Sequence, residues 1–178
     1  MPAIRPLSLD EMPAELGAEI NGRLAARTLS STLPVQIWAR RPEAATAWVR
    51  LLATLNEGAI LDERLRELVR LRIASFTQCR TCQIGRKSDT VSEQDIACLS
   101  SDDESFTPRE QVALRYADNF SADWFAVDDA TYRELAEHFT VEEIVELQMF
   151  SAMMLAGGRL ALVQRAWVDD EVEPVLGV

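Results

Sequence analysis

The sequence is poor in cysteine and histidine: its 178 residues include three cysteines and a single histidine. An odd, small number of cysteines argues against the disulfide framework of a secreted domain and favours a cytosolic redox or metal role. A closed zinc site needs four ligands, and only Cys98 and His138 are available to join Cys79 and Cys82. There is no second Cys-x-x-Cys motif and no glycine-rich phosphate loop, so the sequence predicts neither a metal nor a cofactor.

Long hydrophobic segments are also missing. The strongest apolar run, residues 147–156, has about ten residues, short of the roughly 20 that a membrane-spanning helix needs. Residues 1–10 contain no apolar run typical of a signal peptide. We therefore expect a cytoplasmic protein without membrane spans, in which residues 147–156 form a buried helix.

Basic residues are scarce relative to acidic ones. Lysine and arginine total 18 against 29 aspartates and glutamates, which gives a formal net charge of −11. Such a field repels nucleic-acid phosphates and anionic lipid surfaces. Neither nucleic acid nor a membrane is an expected partner.

No proline-, glycine- or serine-rich linker divides the chain, and no segment alternates regularly between apolar and polar residues. Spacings of three and four between apolar residues, with helix-start motifs at Asp62, Thr90, Thr107 and Thr140, predict an all-α, single-domain fold. Within the domain 1–178, residues 1–33 are expected to be an N-terminal extension and residues 34–178 a helical core. The predicted helices span residues 13–27, 34–40, 42–56, 63–78, 80–88, 91–99, 108–120, 129–138 and 141–167.

The chain does carry one dense group of reactive residues, Glu67 followed by Cys79-x-x-Cys82. This cysteine spacing permits a short disulfide and tends to lower one thiol pKa below its free value of about 8.5. The pair is interpreted as redox-active; half of a zinc site or two inert buried thiols are the alternatives. Glu67 lies on a largely apolar stripe of its predicted helix. Burial there would raise the pKa of its carboxyl group and suit it to carrying protons. The alternative, which the pattern alone favours, is an exposed Glu67 paired with Arg70.

Three segments, Arg41–Ala44, Leu61–Ala74 and Cys79–Cys82, together resemble the carboxymuconolactone decarboxylase and alkyl hydroperoxidase D-like family. The similarity continues through residues 127–132 and 139–147. The resemblance implies an all-helical fold that assembles into dimers, trimers or hexamers. It also implies that Glu67 relays protons to a redox-active cysteine pair that reduces a hydroperoxide or exchanges with a partner's dithiol. The lactone decarboxylases of the family typically lack that pair.

Two histidines of the family's redox motif are replaced in this chain. Arg86 stands four residues after the second cysteine, and Thr81 lies between the cysteines. Arginine cannot accept a proton near neutrality, so Arg86 can support a thiolate by its charge but cannot act as a relay base. Arg80 and Lys87 are expected on a solvated helix face. Peroxidase activity is therefore expected to be weak or absent even if the disulfide forms.

The remaining notable residues are expected to be structural. Cys98 is predicted to be a core thiol, and His138 to lie near a helix C-terminus, where a cation is favourable. Gly157-Gly158 is expected to bend the last helix or to mark a subunit contact. Four tryptophans are spaced too widely for one aromatic box and are expected to anchor a core or an interface: Trp38, Trp48, Trp124 and Trp167.

Three hypotheses follow. The first is a cytoplasmic thiol-disulfide oxidoreductase with Cys79, Cys82 and Glu67 as catalytic residues, supported by Arg86. The second is a lyase or hydrolase that acts on a small lactone or acid. The third is a non-catalytic helical oligomer. The substrate, the electron donor and the attacking cysteine are left open by the sequence.

Overall fold

Side-chain caps define the starts of many helices in the computed structural model, which describes residues 2–167 and 176. Asp62 Oδ1 accepts a hydrogen bond from the Leu65 amide at 2.8 Å. Thr107 exchanges bonds reciprocally with Glu110, and Thr140 does the same with Glu143. Each such bond satisfies an amide that the first helical turn would otherwise leave unpaired.

The all-α prediction is confirmed: the described part of the chain contains helices and a single isolated bridge, between Ile4 and Leu176, but no strand. Single 3-10 turns cover Leu9–Glu11 and Trp124–Ala126. The α-helices, numbered in chain order, are α1 (Ala14–Ala25), α2 (Leu33–Trp38), α3 (Pro42–Glu57), α4 (Glu63–Thr77), α5 (Arg80–Ile84), α6 (Glu93–Ala97), α7 (Pro108–Ala122), α8 (Asp129–His138) and α9 (Val141–Val163).

Packing groups these helices into two compact units, each built from separate stretches of the sequence. The first unit comprises residues 1–58, 79–87 and 159–178, and the second comprises residues 59–78 and 88–158. The division into an N-terminal extension at residues 1–33 and a helical core at residues 34–178 stays a prediction.

In the first unit, α1 and α2 both pack against α3. Leu16 and Ile20 of α1 lie one helical turn apart, so both side chains reach the same buried face. Burying each contributes about 1.5–3 kcal/mol relative to an exposed position. Val35 of α2 and Val49 of α3 complete this core.

In the second unit, α4 packs against α7, and α7 packs against α8. The apolar core joins Leu68 and Leu71 of α4 to Leu114 of α7. Arg72 supplements this packing, because its guanidinium pairs with Asp118 and donates to the Leu99 carbonyl at 3.0 Å. The second unit therefore combines an apolar core with partly buried ion pairs.

Three predicted helices are each four residues shorter in the structure. α5 ends at Ile84 rather than at 88, and α9 ends at Val163 rather than at 167. α6 begins at Glu93 because Ser92, not Thr90, is its N-cap, with Asp95 as the reciprocal partner. The Thr90 prediction is therefore wrong.

The Gly157-Gly158 pair does not break α9, which runs continuously through it. A Cβ on Gly158 would lie 2.7 Å from Thr77 Cβ and 2.9 Å from Thr77 Cγ2. The missing side chain thus allows α9 to approach the end of α4 within the second unit. This close approach is made within a single chain, and the expected bend or subunit contact at this pair stays a prediction.

Among the described residues, no helix is both long enough and apolar enough to cross a membrane. Residues 147–156 lie inside α9, where Leu147 and Phe150 are buried.

Candidate active site

Cys79 and Cys82 are joined by a disulfide, with their Cα atoms 5.2 Å apart. α4 ends in a left-handed Gln78 (φ 51°), which turns the chain away from the helix axis. Cys79 then caps the short helix α5, and Cys82 lies within that helix. One turn of helix is enough to bring the two sulfurs together. The pair is thus a disulfide, not two separate inert thiols.

The two sulfurs differ in their access to solvent. Cys79 is 5% exposed and belongs to an apolar cluster with Ile37, Ala161 and Ala166. Cys82 is half-buried and packs at the edge of the same cluster. A dissolved molecule therefore meets Cys82 more readily than Cys79.

No group of three or more histidine, cysteine, aspartate or glutamate residues within residues 2–167 could hold a metal ion. Both sulfurs are also used by the disulfide.

Glu67 is buried, 3% exposed, and pairs with Arg70, which is equally buried. Arg70 Nε and Nη2 donate to the two carboxylate oxygens, each at 2.7 Å. The ion pair considered at sequence level exists, but it is buried rather than exposed. A buried pair of this kind is expensive to separate, because each charge has lost its hydration.

Glu67 lies in the second unit, whereas the disulfide lies in the first. The proton-carrier role expected for Glu67 stays a prediction.

Arg86 donates from Nη1 to the carbonyls of Gln83 and Ile84, the latter at 3.2 Å. These carbonyls lie at the C-terminal end of α5, where a cation is favourable. Lys87 donates to the Thr28 carbonyl and is half-buried, so its expected place on a solvated face is wrong. Arg80 is exposed, as expected.

Cys98 and His138 lie outside this region. Cys98 is the C-cap of α6 and only half-buried, not the core thiol expected from the sequence. It hydrogen-bonds to Asp103, although the Ser105 side chain is the main cause of the lowered Asp103 pKa. His138 is the last residue of α8, at the helix C-terminus predicted for it.

The sequence interpretation missed an aromatic pair. Trp38 and Trp48 pack together with ring centroids 5.5 Å apart, so two of the four tryptophans do share one site. They line a cleft whose wall also contains Arg40 and Arg41. The only indication of this cleft in the sequence is an Arg-Arg pair at the junction of two predicted helices that each contain a tryptophan.

Residues 42–119 match the model of the carboxymuconolactone decarboxylase family. This segment includes α4, the disulfide and most of α7. No curated protein matches the chain.

Several solved structures share the fold. A protein of unknown function from Agrobacterium tumefaciens, ATU0492, suggested to be the antioxidant defence protein AhpD, is 24% identical with a TM-score of 0.65. The match covers 75% of this chain and 97% of that one. An uncharacterized peroxidase-related protein with an AhpD core, from Ralstonia eutropha JMP134, is 19% identical with a TM-score of 0.73, covering 95% and 93% of the two chains.

The debrominase Bmp8 is also similar, with 16% identity and a TM-score of 0.77 over 93% of this chain and 91% of that one. At these identities the likeness establishes the fold alone. Residues 42–119 are thus similar to the carboxymuconolactone decarboxylase family, and the chain shares its fold with the AhpD-like structures.

Proposed function

We propose that this protein is a cytoplasmic thiol-disulfide oxidoreductase that uses Cys79 and Cys82 to reduce a hydroperoxide or the disulfide of a partner. The observation that carries the proposal is the disulfide between these residues in a chain similar to this family. A pair three residues apart can pass between the dithiol and disulfide forms with little backbone movement.

In the reaction with a hydroperoxide, the Cys82 thiolate attacks the terminal peroxide oxygen and the O–O bond breaks. The alkoxide leaves as an alcohol after it takes a proton, and Cys82 becomes a sulfenic acid. Cys79 then attacks the sulfenic sulfur, which forms the disulfide and releases water. The peroxide is reduced by two electrons, and a partner dithiol returns two electrons and two protons by exchange with the disulfide.

Cys82 is assigned the attacking role because it is the more exposed of the two sulfurs. Cys79, buried in its apolar cluster, is placed to resolve the intermediate. When the partner substrate is a disulfide, the same Cys82 forms a mixed disulfide that Cys79 resolves.

Glu67 is assigned the proton transfers, the role that the resemblance implies for its position. Arg86 is assigned a supporting role, since its bonds to the carbonyls of α5 hold the segment that carries Cys82. Neither residue replaces a neutral imidazole, so turnover with hydroperoxide is expected to be slow.

The proposal is tested with purified, fully reduced protein and cumene hydroperoxide, supplied with dithiothreitol. Cys82→Ser is expected to abolish turnover. Cys79→Ser, assayed without dithiothreitol so that no other thiol reduces the intermediate, is expected to allow one reaction per chain and to stop at the sulfenic acid. Cys98→Ser is the matched control, because this cysteine is outside the disulfide, and it should keep full turnover. Full turnover by Cys82→Ser would refute the assignment.

A second measurement separates a redox function from a purely structural one. Titration of the reduced protein should find one of the two motif thiols with a pKa below the free value of about 8.5. The disulfide should equilibrate with a glutathione or thioredoxin couple. Thiols of raised pKa that react with neither couple would leave a non-catalytic helical oligomer.

The substrate panel follows from the comparisons. A variant of Bmp8 with a cysteine changed to alanine was solved with 2,3,4-tribromopyrrole, so a brominated pyrrole belongs beside the hydroperoxides. The family description supplies the other candidate, a lyase acting on a small lactone. Lactone turnover by a variant lacking both motif cysteines would favour the lyase over the oxidoreductase.

A further inference from the structure

A cleft of about 360 Å³ lies within the first unit, separate from the residues assigned to thiol chemistry. Its walls come from the N-terminal segment, α2, the start of α3, and the end of α9 with the residue that follows it. This volume falls in the lower part of the range for small-molecule sites, about 300–1,000 Å³. It fits a molecule of one or two rings.

The apolar part of the wall is aromatic and held in place. The rings of Trp38 and Trp48 meet at 59° with their centroids 5.5 Å apart. The Trp38 indole N–H donates to Gln164 Oε1 at 2.9 Å, which fixes the orientation of that ring. The two packed indoles offer a flat ligand both a face and an edge to pack against.

The polar part of the wall is cationic. Arg40 Nε donates to the Arg5 carbonyl at 3.2 Å, which holds the guanidinium in place. Arg40 Nη2 is buried and has no hydrogen-bond acceptor among the described residues. A buried donor without an acceptor costs free energy in the folded protein.

The other residues of the wall reinforce this preference for an anion. Arg41 lines the cleft beside Arg40, and Ala44 comes from the first turn of α3, where the helix dipole is positive. No aspartate or glutamate is among the residues that line the cleft in the described part of the chain.

We propose that this cleft binds a small aromatic carboxylate, with the ring against Trp38 and Trp48 and the carboxylate on the Arg40 guanidinium. Arginine offers a planar pair of donors that matches the two oxygens of a carboxylate. The volume accommodates a naphthalene-sized acid, and the cationic wall discriminates against the uncharged amide of the same shape.

The site is distinct from the thiol chemistry, since no cysteine lines the cleft. It is nevertheless a neighbour of that chemistry. Ile37 and Trp38, which line the cleft, also pack in the cluster that contains Cys79 and Cys82. A bound acid therefore contacts side chains that contact the disulfide.

Isothermal titration calorimetry on the full chain tests the proposal with 2-naphthoate and its amide, 2-naphthamide. The wild type is expected to bind the acid with a Kd below the millimolar range and at least tenfold more tightly than the amide. Arg40→Gln should reduce this ratio of affinities to about twofold or less. Arg40→Lys should give a ratio between those of Arg40→Gln and the wild type, because lysine keeps the charge but lacks the planar pair of donors. Trp48→Ala should weaken both ligands alike.

The control is Arg133→Gln, which removes an exposed arginine on α8 in the other unit and should leave both affinities unchanged. Cys82→Ser should also bind normally, so loss of thiol activity and loss of acid binding are separable. Equal affinity of the wild type for acid and amide, or no binding of either, would overturn the proposal, and this result does not depend on any variant folding. Equal binding of the acid by Arg40→Gln and wild type would overturn the role of Arg40.

Discussion

At the scale of single residues, the most demanding feature is the buried Glu67–Arg70 pair. Its bidentate geometry satisfies both oxygens of the carboxylate within one turn of α4. Attraction between the charges offsets the loss of hydration only while both partners are present. Changing one residue of the pair should therefore lower the free energy of unfolding more than changing both.

We expect Arg70→Met and Glu67→Gln each to lower the free energy of unfolding by about 3–5 kcal/mol, because each leaves the opposite charge buried without this ion pair. The double variant should recover a large part of that loss. Urea unfolding of the four proteins at pH 7 measures the coupling. Additive losses in the double variant would contradict a mutually dependent pair.

A further residue-scale prediction concerns the missing side chain of Gly158. Gly158→Ala would place a methyl group against Thr77, with Thr77 Cβ at 2.7 Å, and one of the two helices must shift. A cost of about 1–3 kcal/mol is expected from such overpacking. Thermal and urea unfolding measure it.

The matched control for Gly158 is Gly22→Ala in α1, where a new Cβ would meet nothing within 4 Å. Alanine is the better helix former, so this variant should be more stable by up to about 1 kcal/mol. Opposite signs at the two glycines are the expected outcome. A gain in stability at both would show that α4 and α9 are not in close contact there.

At the scale of helices, the sequence predicted which segments are helical well, and the first and last residues of those helices less well. Long segments with clear caps, such as α4, α7 and α8, agree with the structure to within two residues. The start of α6 does not, because Thr90 and Ser92 each stand three residues before an acidic residue. Sequence spacing alone cannot choose between two such motifs.

Contacts distant in the sequence make that choice. Arg64 of α4 donates to both oxygens of Asp95 and to the Thr90 carbonyl. Asp95 is thereby held next to Ser92, while the Thr90 hydroxyl pairs with the Ser88 side chain. The partner that decides the helix start lies more than 25 residues upstream, beyond the reach of a local pattern.

The Arg64–Asp95 pair gives an element-scale prediction for stability against pH. The hydrogen bonds from Arg64 hold the pKa of Asp95 well below its ordinary value of 3.8. Because the pKa is lower in the folded protein, the contribution to stability is complete above that ordinary value. It is lost as the pH falls further towards the pKa of the folded state.

Asp95→Asn should therefore lower the free energy of unfolding by about 1–2 kcal/mol at pH 7. The difference from wild type should shrink as the pH is lowered from 4 towards 3. Glu104→Gln, at an exposed carboxylate between α6 and α7, is the control and should change stability by less than about 0.5 kcal/mol at any of these pH values. A difference independent of pH would show that Asp95 acts through its shape rather than its charge.

At the scale of the whole molecule, the sequence predicted the fold class and the cysteine pair but not the cleft. The disulfide follows from a spacing of three residues, which any reading of the sequence detects. The cleft depends on Gln164 meeting Trp38 across 126 positions, and on the orientation of α2 against α3. The burial of Glu67 was also undetermined, because a Glu-Arg pair at this spacing is compatible with an exposed face.

The molecule also exposes an apolar stripe on the N-terminal half of α9. Val141, Val145 and Met149 repeat every four residues and are 72%, 48% and 47% exposed. This spacing puts all three side chains on one face of the helix. In the same unit, Trp124 and Phe125 pack together on an exposed 3-10 turn.

We propose that this stripe takes part in the homo-oligomer expected for the family. An apolar helix face is protected from water when it packs against a second copy of the chain. The wild type should therefore be larger than a monomer in light scattering coupled to size-exclusion chromatography, at concentrations of a few micromolar.

The double variant Val145→Lys and Met149→Lys should shift the wild-type species towards monomer, because two ammonium groups would have to lose their hydration in the interface. Glu137→Lys, at an exposed position on α8, adds positive charge without altering the apolar face and should leave the assembly unchanged. Circular dichroism separates a folded monomer from an unfolded chain. A monomeric wild type, or an assembly that the double variant leaves intact, would refute the stripe as an interface. If the assembly stays intact, the exposed Phe125 is the next residue to change.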